Sequence, residues 1–426
     1  MLPRAVIRIE SIRYAVRMEL VLSRSQFVRW RTAIFAIFLA SGLSVATWAS
    51  RVPAIKQTLD IDNVQVGIML LIGGLASIVG LSLSSIIMAR FGARKGMLGA
   101  ILIFAIGIVL IGVGTDVVGS VPLVIVGLMM WGFGNGSVDV MMNVEGAAIE
   151  AQSSRTLLPL FHAFFSAGTV VGAGLGVVFI GAGWNVFTHL SVIAVVLAVV
   201  GVVSYANVPD RVETEDIADT EEEAGWRNRL GLALSAWREP RTYALGVVML
   251  GMSFAEGGAN DWLALGVVEG HNAPQELGAL GLAVFSVSMT VVRVFGGPLV
   301  DRFGRVAVLR VLSLAAVAGL LLFILAPSLP LVFVGAALWG VGASLGFPLG
   351  MSAAGDDPAR AAARVSAAAT IGYVAFLAGP PLLGLVSEHI GLLNTLYILV
   401  ALVAASGFAS GAAKPLPGAN VGAGRH

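Results

Sequence analysis

The sequence predicts an all-α integral membrane protein, with twelve transmembrane helices arranged as two pseudo-symmetric six-helix halves. Of its 426 residues, 57% are hydrophobic and 12% are charged, whereas a soluble domain carries roughly 25% charged residues. Apolar runs of about 20 residues, the length that crosses the bilayer core, recur twelve times. Short motifs of the first six runs also return in the last six.

The twelve apolar runs define the predicted spans, and 53 glycines allow their helices to pack closely. The predicted spans are 32–50, 65–88, 97–115, 121–147, 158–181, 185–205, 242–264, 276–299, 306–326, 329–351, 362–385 and 391–411. We divide the chain into a basic cytoplasmic segment 1–31, a first half 32–205, a cytoplasmic linker 206–241, a second half 242–411 and a tail 412–426.

Lysine and arginine predict the orientation of the chain. Of 26 such residues, 23 fall on the side of the termini, Arg51 and Lys56 fall on the other side, and Arg293 lies within a span. The positive-inside rule then places both termini in the cytoplasm. We expect a multi-pass protein of the plasma membrane, specifically a bacterial inner membrane, that works as a monomer.

Composition also excludes several kinds of partner and chemistry. A net charge of +1 argues against nucleic acid as a partner, and the absence of cysteine excludes disulfides and thiolate metal sites. No spacing of histidines and acids predicts a metal site, and no cofactor is expected. The chain has neither a phosphate-binding glycine loop nor an arguable catalytic triad, so we predict that it is not an enzyme.

Two segments outside the spans have amphipathic patterns. Residues 1–31 contain seven arginines and fit an interfacial helix, a basic tail or an extension from a misplaced start. In the linker, residues 210–223 are acidic and predicted to be solvated. The following part spaces apolar side chains as a helix on the membrane surface would: Trp226, Leu230, Leu234 and Trp237.

Two motifs are repeated between the halves. Arg90-Phe-Gly92 returns as Arg302-Phe-Gly304, and Trp131-Gly-Phe-Gly134 returns as Trp339-Gly-Val-Gly342. Because both pairs occupy equivalent spans at nearly the same offset, they indicate a duplicated six-helix unit. Transporters built from such parallel repeats bind their substrate between the repeats, near the membrane midplane.

Span four carries the polar stripe on which the functional prediction depends. Trp131, Asn135, Asp139 and Asn143 recur every four residues, so they share one helix face. An ionised carboxylate at membrane depth costs about 2.5–3.5 kcal/mol by insertion scales. We predict that this face lines a solute pathway and that Asp139 is its proton-carrying group; the alternative is a buried acid satisfied by neighbouring helices.

Spans seven and eight contain the other candidate charges. Glu256 and Asn260 share a face, so Glu256 is a second candidate for proton coupling, unless it is hydrogen-bonded at the Gly257-Gly258 break. Arg293 requires a partner at its depth. That partner could be Asp139 across the halves, or Asp301 and helix ends within the second half.

Aromatic residues and one histidine complete the candidate site. Trp48, Trp131 and Trp339 could stack on a solute, or Trp48 could belong to the interfacial aromatic belt. His162, near the start of span five, could relay protons because its unperturbed pKa is near 6.5. The alternative for His162 is a hydrogen-bonded structural residue.

The loop after span eight resembles a known signature. Gly297, Asp301, Arg302, Gly304 and Arg305 form Gly-x-x-x-Asp-Arg-x-Gly-Arg, which is similar to the loop motif of the major facilitator superfamily. The resemblance covers about residues 32–411. It implies the twelve-helix fold of that family and a conformational latch for the outward-facing state.

The first copy of the signature is degraded. Arg90 and Gly92 remain, but Ser85, Ala89 and Ala93 replace the glycine, the aspartate and the final arginine. The resemblance therefore implies a latch that rests mainly on the second copy.

Within that superfamily the chain resembles the fucose-permease-like branch, through Asp139, Asn143, Ser166 and Gly168. This resemblance implies proton-coupled sugar uptake. The chain lacks the branch's acid in span one, where Ala49 stands, and it looks at least as similar to uncharacterised bacterial inner-membrane members.

We therefore predict a secondary active transporter that moves a small, polar, sugar-like solute together with protons, by alternating access in a lipid bilayer. The first alternative is a proton antiporter that exports drugs or metabolites. The second is a membrane sensor or assembly factor that transports nothing.

Overall fold

The computed structural model describes residues 23–153, 157–210, 235–357 and 360–416, and every regular element within those ranges is helical. Ten of the described helices are long and apolar enough to cross a membrane. One of them, 55 residues long, bends at Gly92 and supplies two spans. Together with the helix that begins at Pro240, they form twelve spans, as predicted.

The helices keep the chain order of the predicted spans, with different ends. In the first half they are Arg24–Leu59, Asn63–Gly112 (spans two and three), Val121–Ala151, Leu158–Gly181 and Val186–Asn207. In the second half they are Pro240–Gly258, Gln275–Phe303, Arg305–Leu325, Leu329–Ala343, Gly346–Ala354, Ala361–Ile390, Leu392–Thr395 and Tyr397–Ala409.

Several spans are irregular where a single run was predicted. Span seven continues past Gly258 through the π-helical segments Ala259–Leu263 and Gly266–Gly270. Span ten is interrupted between Ala343 and Gly346. π-helical segments often occur at functional sites, and the first of these begins shortly after Glu256.

Span one shows why the predicted ends were too short. A capping box between Ser23 and Gln26 starts the helix, and it ends only at Asp60, whose φ is 50°. Pro53 lies inside this helix. Arg51, which the charge count assigned to a loop, is therefore a buried residue of span one.

The duplicated unit is visible in the backbone. Gly92 and Gly304, which close the two repeated Arg-Phe-Gly motifs, have φ/ψ of 76°/156° and 77°/156°. This conformation is open almost only to glycine, so the residue type follows from the sharp turn between consecutive spans.

Helix packing repeats with the same offset. A Cβ on Gly132 would collide with the carbonyl oxygen of Gly73, and a Cβ on Gly340 would collide with that of Phe285. The two partners are 212 positions apart in the chain and the two glycines are 208 apart. The two halves therefore share a packing frame in which spans four and ten contact their neighbours through backbone.

The halves are joined at one face of the membrane region. We call the face that carries residues 23 and 416 the terminal face, and the opposite one the distal face. At the distal face, Lys56 pairs with Glu269 at 2.7 Å, and the backbone N–H of Asn63 donates to Glu388 at 2.7 Å. Both contacts connect the first half to the second.

At the terminal face, strong ion pairs stay within the second half. Asp356 accepts from Arg241 at 3.0 Å and from Arg305 at 2.6 Å, and Glu239 accepts from Arg364 at 2.6 Å. These pairs hold elements of one half together rather than joining the two halves.

The basic segment and the linker helix stay predictions. Residues 1–22 and 211–234, which include most of both, lie outside the described residues. Of the linker aromatics, Trp237 is described, with its ring 6.2 Å from that of Tyr243.

Candidate solute pathway

Span four presents Asp139 to the second half. Its side chain is exposed, and it lies close enough to Tyr373 of span eleven for an electrostatic interaction. Asn143 donates to the backbone carbonyl of Asp139 at 2.8 Å and lies 3.5 Å from its carboxylate. Within the described part of the chain, no lysine or arginine forms an ion pair with Asp139.

The rest of the stripe is less accessible. Asn135 is half-buried. Trp131 donates from Nε1 to the Ser44 hydroxyl of span one at 2.9 Å, and its ring lies 6.3 Å from that of Trp48. Trp48 is 5% exposed, so the structure buries it against Trp131 between spans one and four, whereas we predicted that it lines the cavity.

Trp339 requires a correction. Its side chain is fully buried, and its Nε1 donates to the carbonyl of Ala255 at 2.9 Å. The structure therefore contradicts its predicted place in the cavity lining. Trp339 repeats the sequence position of Trp131, but it packs inside the second half between Phe285 and Phe323.

Glu256 of span seven and Arg293 of span eight form an ion pair within the second half. The Glu256 carboxylate lies 2.8 Å from Arg293 Nη2, and the two side chains are 18% and 20% exposed. Arg293 therefore has its partner on span seven, and the alternatives with Asp139 or Asp301 are not formed. Asn260, one turn beyond Glu256, is half-buried.

Arg293 also contacts the first half. Its Nη1 donates to the Ser166 hydroxyl of span five at 3.2 Å, while Nε donates to the Ser344 carbonyl at 2.9 Å, where span ten is interrupted. His162, on span five, is exposed and lies within electrostatic range of Arg293. The ion pair thus borders the interface between the halves.

Sequence reasoning missed a second arginine within a span. Arg51 donates from Nε to Nδ1 of His189 on span six at 2.8 Å, and both residues are almost fully buried. Glu145, in the last part of span four, is also buried and accepts from Trp30 Nε1 at 2.6 Å. The aspartates at 60 and 62, which end one helix and cap the next, could have revealed that span one extends past Arg51.

The predicted latch residues lie at the terminal face. Asp301 is exposed, and the described residues provide no ion pair to it. Arg302 and Arg90 lie over the rings of their neighbours Phe303 and Phe91. Arg305, the last arginine of the signature, forms a salt bridge with Asp356 rather than with Asp301.

The described residues contain no group of three or more side chains suited to hold a metal ion. Their architecture is that of a membrane transporter: a duplicated six-helix unit, halves clasped at one face, and charged side chains between them. The chain matches the family model of the Major Facilitator Superfamily over residues 33–380 and 265–419, and it belongs to that superfamily.

Relatives and solved structures agree with this assignment. The chain is 29% identical to the uncharacterised transporter y4wD of Sinorhizobium fredii over 88% of this chain and 95% of that one. It is 25% identical to membrane protein MosC of Rhizobium meliloti over 87% of each.

The nucleoside transporter NupG has a similar structure, with a TM-score of 0.68 at 16% identity over 92% of this chain and 100% of that one. The fucose transporter FucP in its outward conformation gives a TM-score of 0.58 at 15% identity over 92% of this chain and 100% of that one. At such identities these structures share the fold. The protein is a multi-pass transporter of this superfamily and not an enzyme.

Proposed function

We propose that the protein is a proton-coupled secondary active transporter that moves a small polar solute by alternating access. The observation that carries this proposal is Asp139, an acid within a span that faces the other half without an ion-pair partner among the described residues. Water reaches such a group when the protein is open on its side, and desolvation favours its protonated form when the site closes.

The orientation is part of the proposal. If the termini are cytoplasmic, the clasped distal face is the outer one, and the structure is the inward-facing state. The chain has no natural cysteine, so single cysteines test this directly. Val118→Cys, on an exposed distal loop, should react with an impermeant thiol reagent in intact cells. Asp210→Cys should react only after the cells are opened, and the reverse pattern would contradict the orientation.

The function is tested with purified protein in liposomes under an imposed pH gradient. A panel of labelled sugars, polyols and their acids is offered on either side. We expect a solute to accumulate on the more alkaline side of the membrane, toward which the protons flow. This accumulation should collapse when a protonophore is added. Accumulation against the proton flow would indicate antiport, and no transport of any solute would favour a non-transporting role.

The structure weakens the argument for drug export. Met142, Met249 and Phe254, which could have formed an apolar binding surface, are each at most 6% exposed and pack between helices. Burial of these apolar side chains favours a polar solute over an apolar drug, and we propose that the solute is taken up.

A further inference from the structure

We propose that the transported solute carries a carboxylate, and that Arg293 binds this group after Glu256 has taken up a proton. This inference rests on the proposed transport function and specifies its substrate class. In this arrangement the Glu256 carboxylate occupies the place on Arg293 that the carboxylate of the solute takes during transport.

The position of Arg293 supports a binding role. Its guanidinium is held from three spans: Nη2 by Glu256 of span seven, Nε by the Ser344 carbonyl of span ten, and Nη1 by Ser166 of span five. Ser166 belongs to the other half, so any anion exchanged at Nη1 and Nη2 lies where the halves meet. The partial exposure of both charged side chains leaves a route for that exchange.

Only the bond to Nε uses a fixed backbone acceptor. Nη1 and Nη2 point to side chains, a serine hydroxyl and a carboxylate, which can rotate away. A guanidinium offers these two donors in a planar fork that matches the two oxygens of a carboxylate. A single positive charge balances a monoanion, whereas a phosphate dianion would leave one charge uncompensated.

The exchange conserves charge and protons. Glu256 accepts one proton and becomes neutral, its ionic bond to Nη2 is lost, and the solute carboxylate forms the replacement ion pair. One proton and one monoanion thus enter together, and the site keeps its net charge.

Breaking this partly buried pair without replacing its partner is unfavourable, because it leaves an uncompensated charge with limited access to water. Protonation of Glu256 and arrival of the anion are therefore favourable together and unfavourable separately.

The neighbouring titratable groups do not provide another anion for Arg293. His162 from span five lies near the guanidinium, and Tyr373 of span eleven lies within electrostatic range of Asp139. Asp261 follows Glu256 on span seven and faces Phe254, Phe376 and Pro380. Span ten presents the Ser344 carbonyl, and span four presents Asp139, which is not bonded to Arg293.

The test measures binding to the purified full-length protein by titration calorimetry and by the thermal unfolding midpoint. Lactate, gluconate and glucuronate are the probes, glycerol and glucose are the neutral controls, and sodium chloride holds the ionic strength constant. The wild type should bind at least one acid and no matched neutral solute. Because one proton is taken up with each anion, affinity should weaken by up to about tenfold per pH unit as pH rises.

Glu256→Gln removes the internal competitor and retains the side-chain shape. It should bind the acids at least as well as the wild type does at low pH, with the pH dependence lost. Arg293→Gln should lose this binding. The double variant with Glu256→Gln and Arg293→Gln leaves no unpaired charge, so it should remain folded and also fail to bind.

The inference is overturned if neutral solutes bind as well as acids, if no acid binds Glu256→Gln, or if the folded double variant retains acid binding. Transport assays separate this from the proposed function. Proton-driven accumulation of a neutral solute would contradict the carboxylate inference and support the proposed proton-coupled transport. If acids bind in an Arg293-dependent way but a pH gradient has no effect on transport, the carboxylate site would be supported and the proposed proton coupling would be contradicted.

Discussion

The two halves share a packing frame and differ in their charges. In the first half Asp139 faces the interface with no ion pair among the described residues, whereas in the second half Glu256 and Arg293 neutralise each other at 2.8 Å. The glycine contacts that hold Gly132 and Gly340 against neighbouring backbone are the same in both. Backbone contacts therefore preserve the duplicated fold, while side chains at the interface are free to acquire separate roles.

The largest effect should come from Asp139→Asn, which removes the unpaired charge of the first half. The asparagine keeps the size of the side chain but cannot titrate. We expect a marked fall in solute accumulation driven by a pH gradient, to the part coupled through Glu256 alone, while exchange of solute down its own gradient continues. Transport into liposomes with and without a pH gradient measures both activities.

Asp60→Asn is the matched control for Asp139→Asn. Asp60 is an exposed acid at the distal end of span one with φ of 50°, a conformation that asparagine tolerates. It should transport like the wild type. Full gradient-driven accumulation in Asp139→Asn would leave Glu256 as the coupling acid and assign no coupling role to Asp139.

The fold could be predicted from sequence because its signals are local or repeated. Apolar runs of span length and the two motifs repeated at offsets of 212 and 208 need no knowledge of tertiary contacts. The ends of the helices were predicted less accurately than their number and order. The Gly92 turn leaves the helix before and after it almost continuous, and Pro53 interrupts a hydrophobic pattern without ending its helix.

The site was predicted only in part, because partners far apart in sequence are chosen by packing. The requirement of Arg293 for a partner followed from its depth, but the choice of Glu256 depends on how spans seven and eight face each other. Trp339 shows the same limit. Its motif matches that of Trp131, yet the structure buries it completely, since a sequence repeat predicts the helix position and not the exposure.

A second prediction tests whether the glycine contacts of the shared packing frame contribute equally to stability in the two halves. Gly132→Ala and Gly340→Ala each place a methyl group against a backbone carbonyl that cannot rotate away. Overpacking typically costs about 1–3 kcal/mol, and we expect the upper part of this range for both. Gly99→Ala, with nothing within 4 Å of its added carbon, should leave the thermal midpoint unchanged or raise it slightly. Markedly unequal effects of the first two variants would break the equivalence.

A third prediction concerns Arg51 and His189, the buried polar pair of the first half. His189→Leu retains bulk but removes the acceptor of the Arg51 Nε hydrogen bond. Loss of a hydrogen bond to a charged group costs about 1.5–3 kcal/mol, and we expect about 2 kcal/mol in the thermal unfolding of purified protein. Proton coupling should persist, because the pair is buried between spans one and six of the first half and contains neither coupling acid. If His189→Leu lost proton coupling while its thermal unfolding midpoint stayed unchanged, His189 would have a role in transport rather than in stability.

The smallest effect on stability should come from Asp301→Asn. Asp301 is exposed at the terminal face without an ion pair among the described residues, and exposed substitutions of this kind stay within about 0.5 kcal/mol. Its equivalent in the first half is Ala89, so the second copy alone carries an acid at that motif position. If it latches the opposite conformation, removing it should shift the equilibrium further toward the state with a clasped distal face.

Ala279→Cys reports on that shift, because Ala279 is fully buried and lies near Gly176 of span five across the two halves. Its reaction with an impermeant thiol reagent requires the distal face to open, so Asp301→Asn should slow the reaction while the thermal midpoint stays constant. Arg305→Gln is the contrasting variant: it loses the 2.6 Å contact with buried Asp356 and should lower the midpoint. An unchanged reaction rate in Asp301→Asn would show that this signature acid is not a latch in the second half either, leaving both copies of the motif as turns.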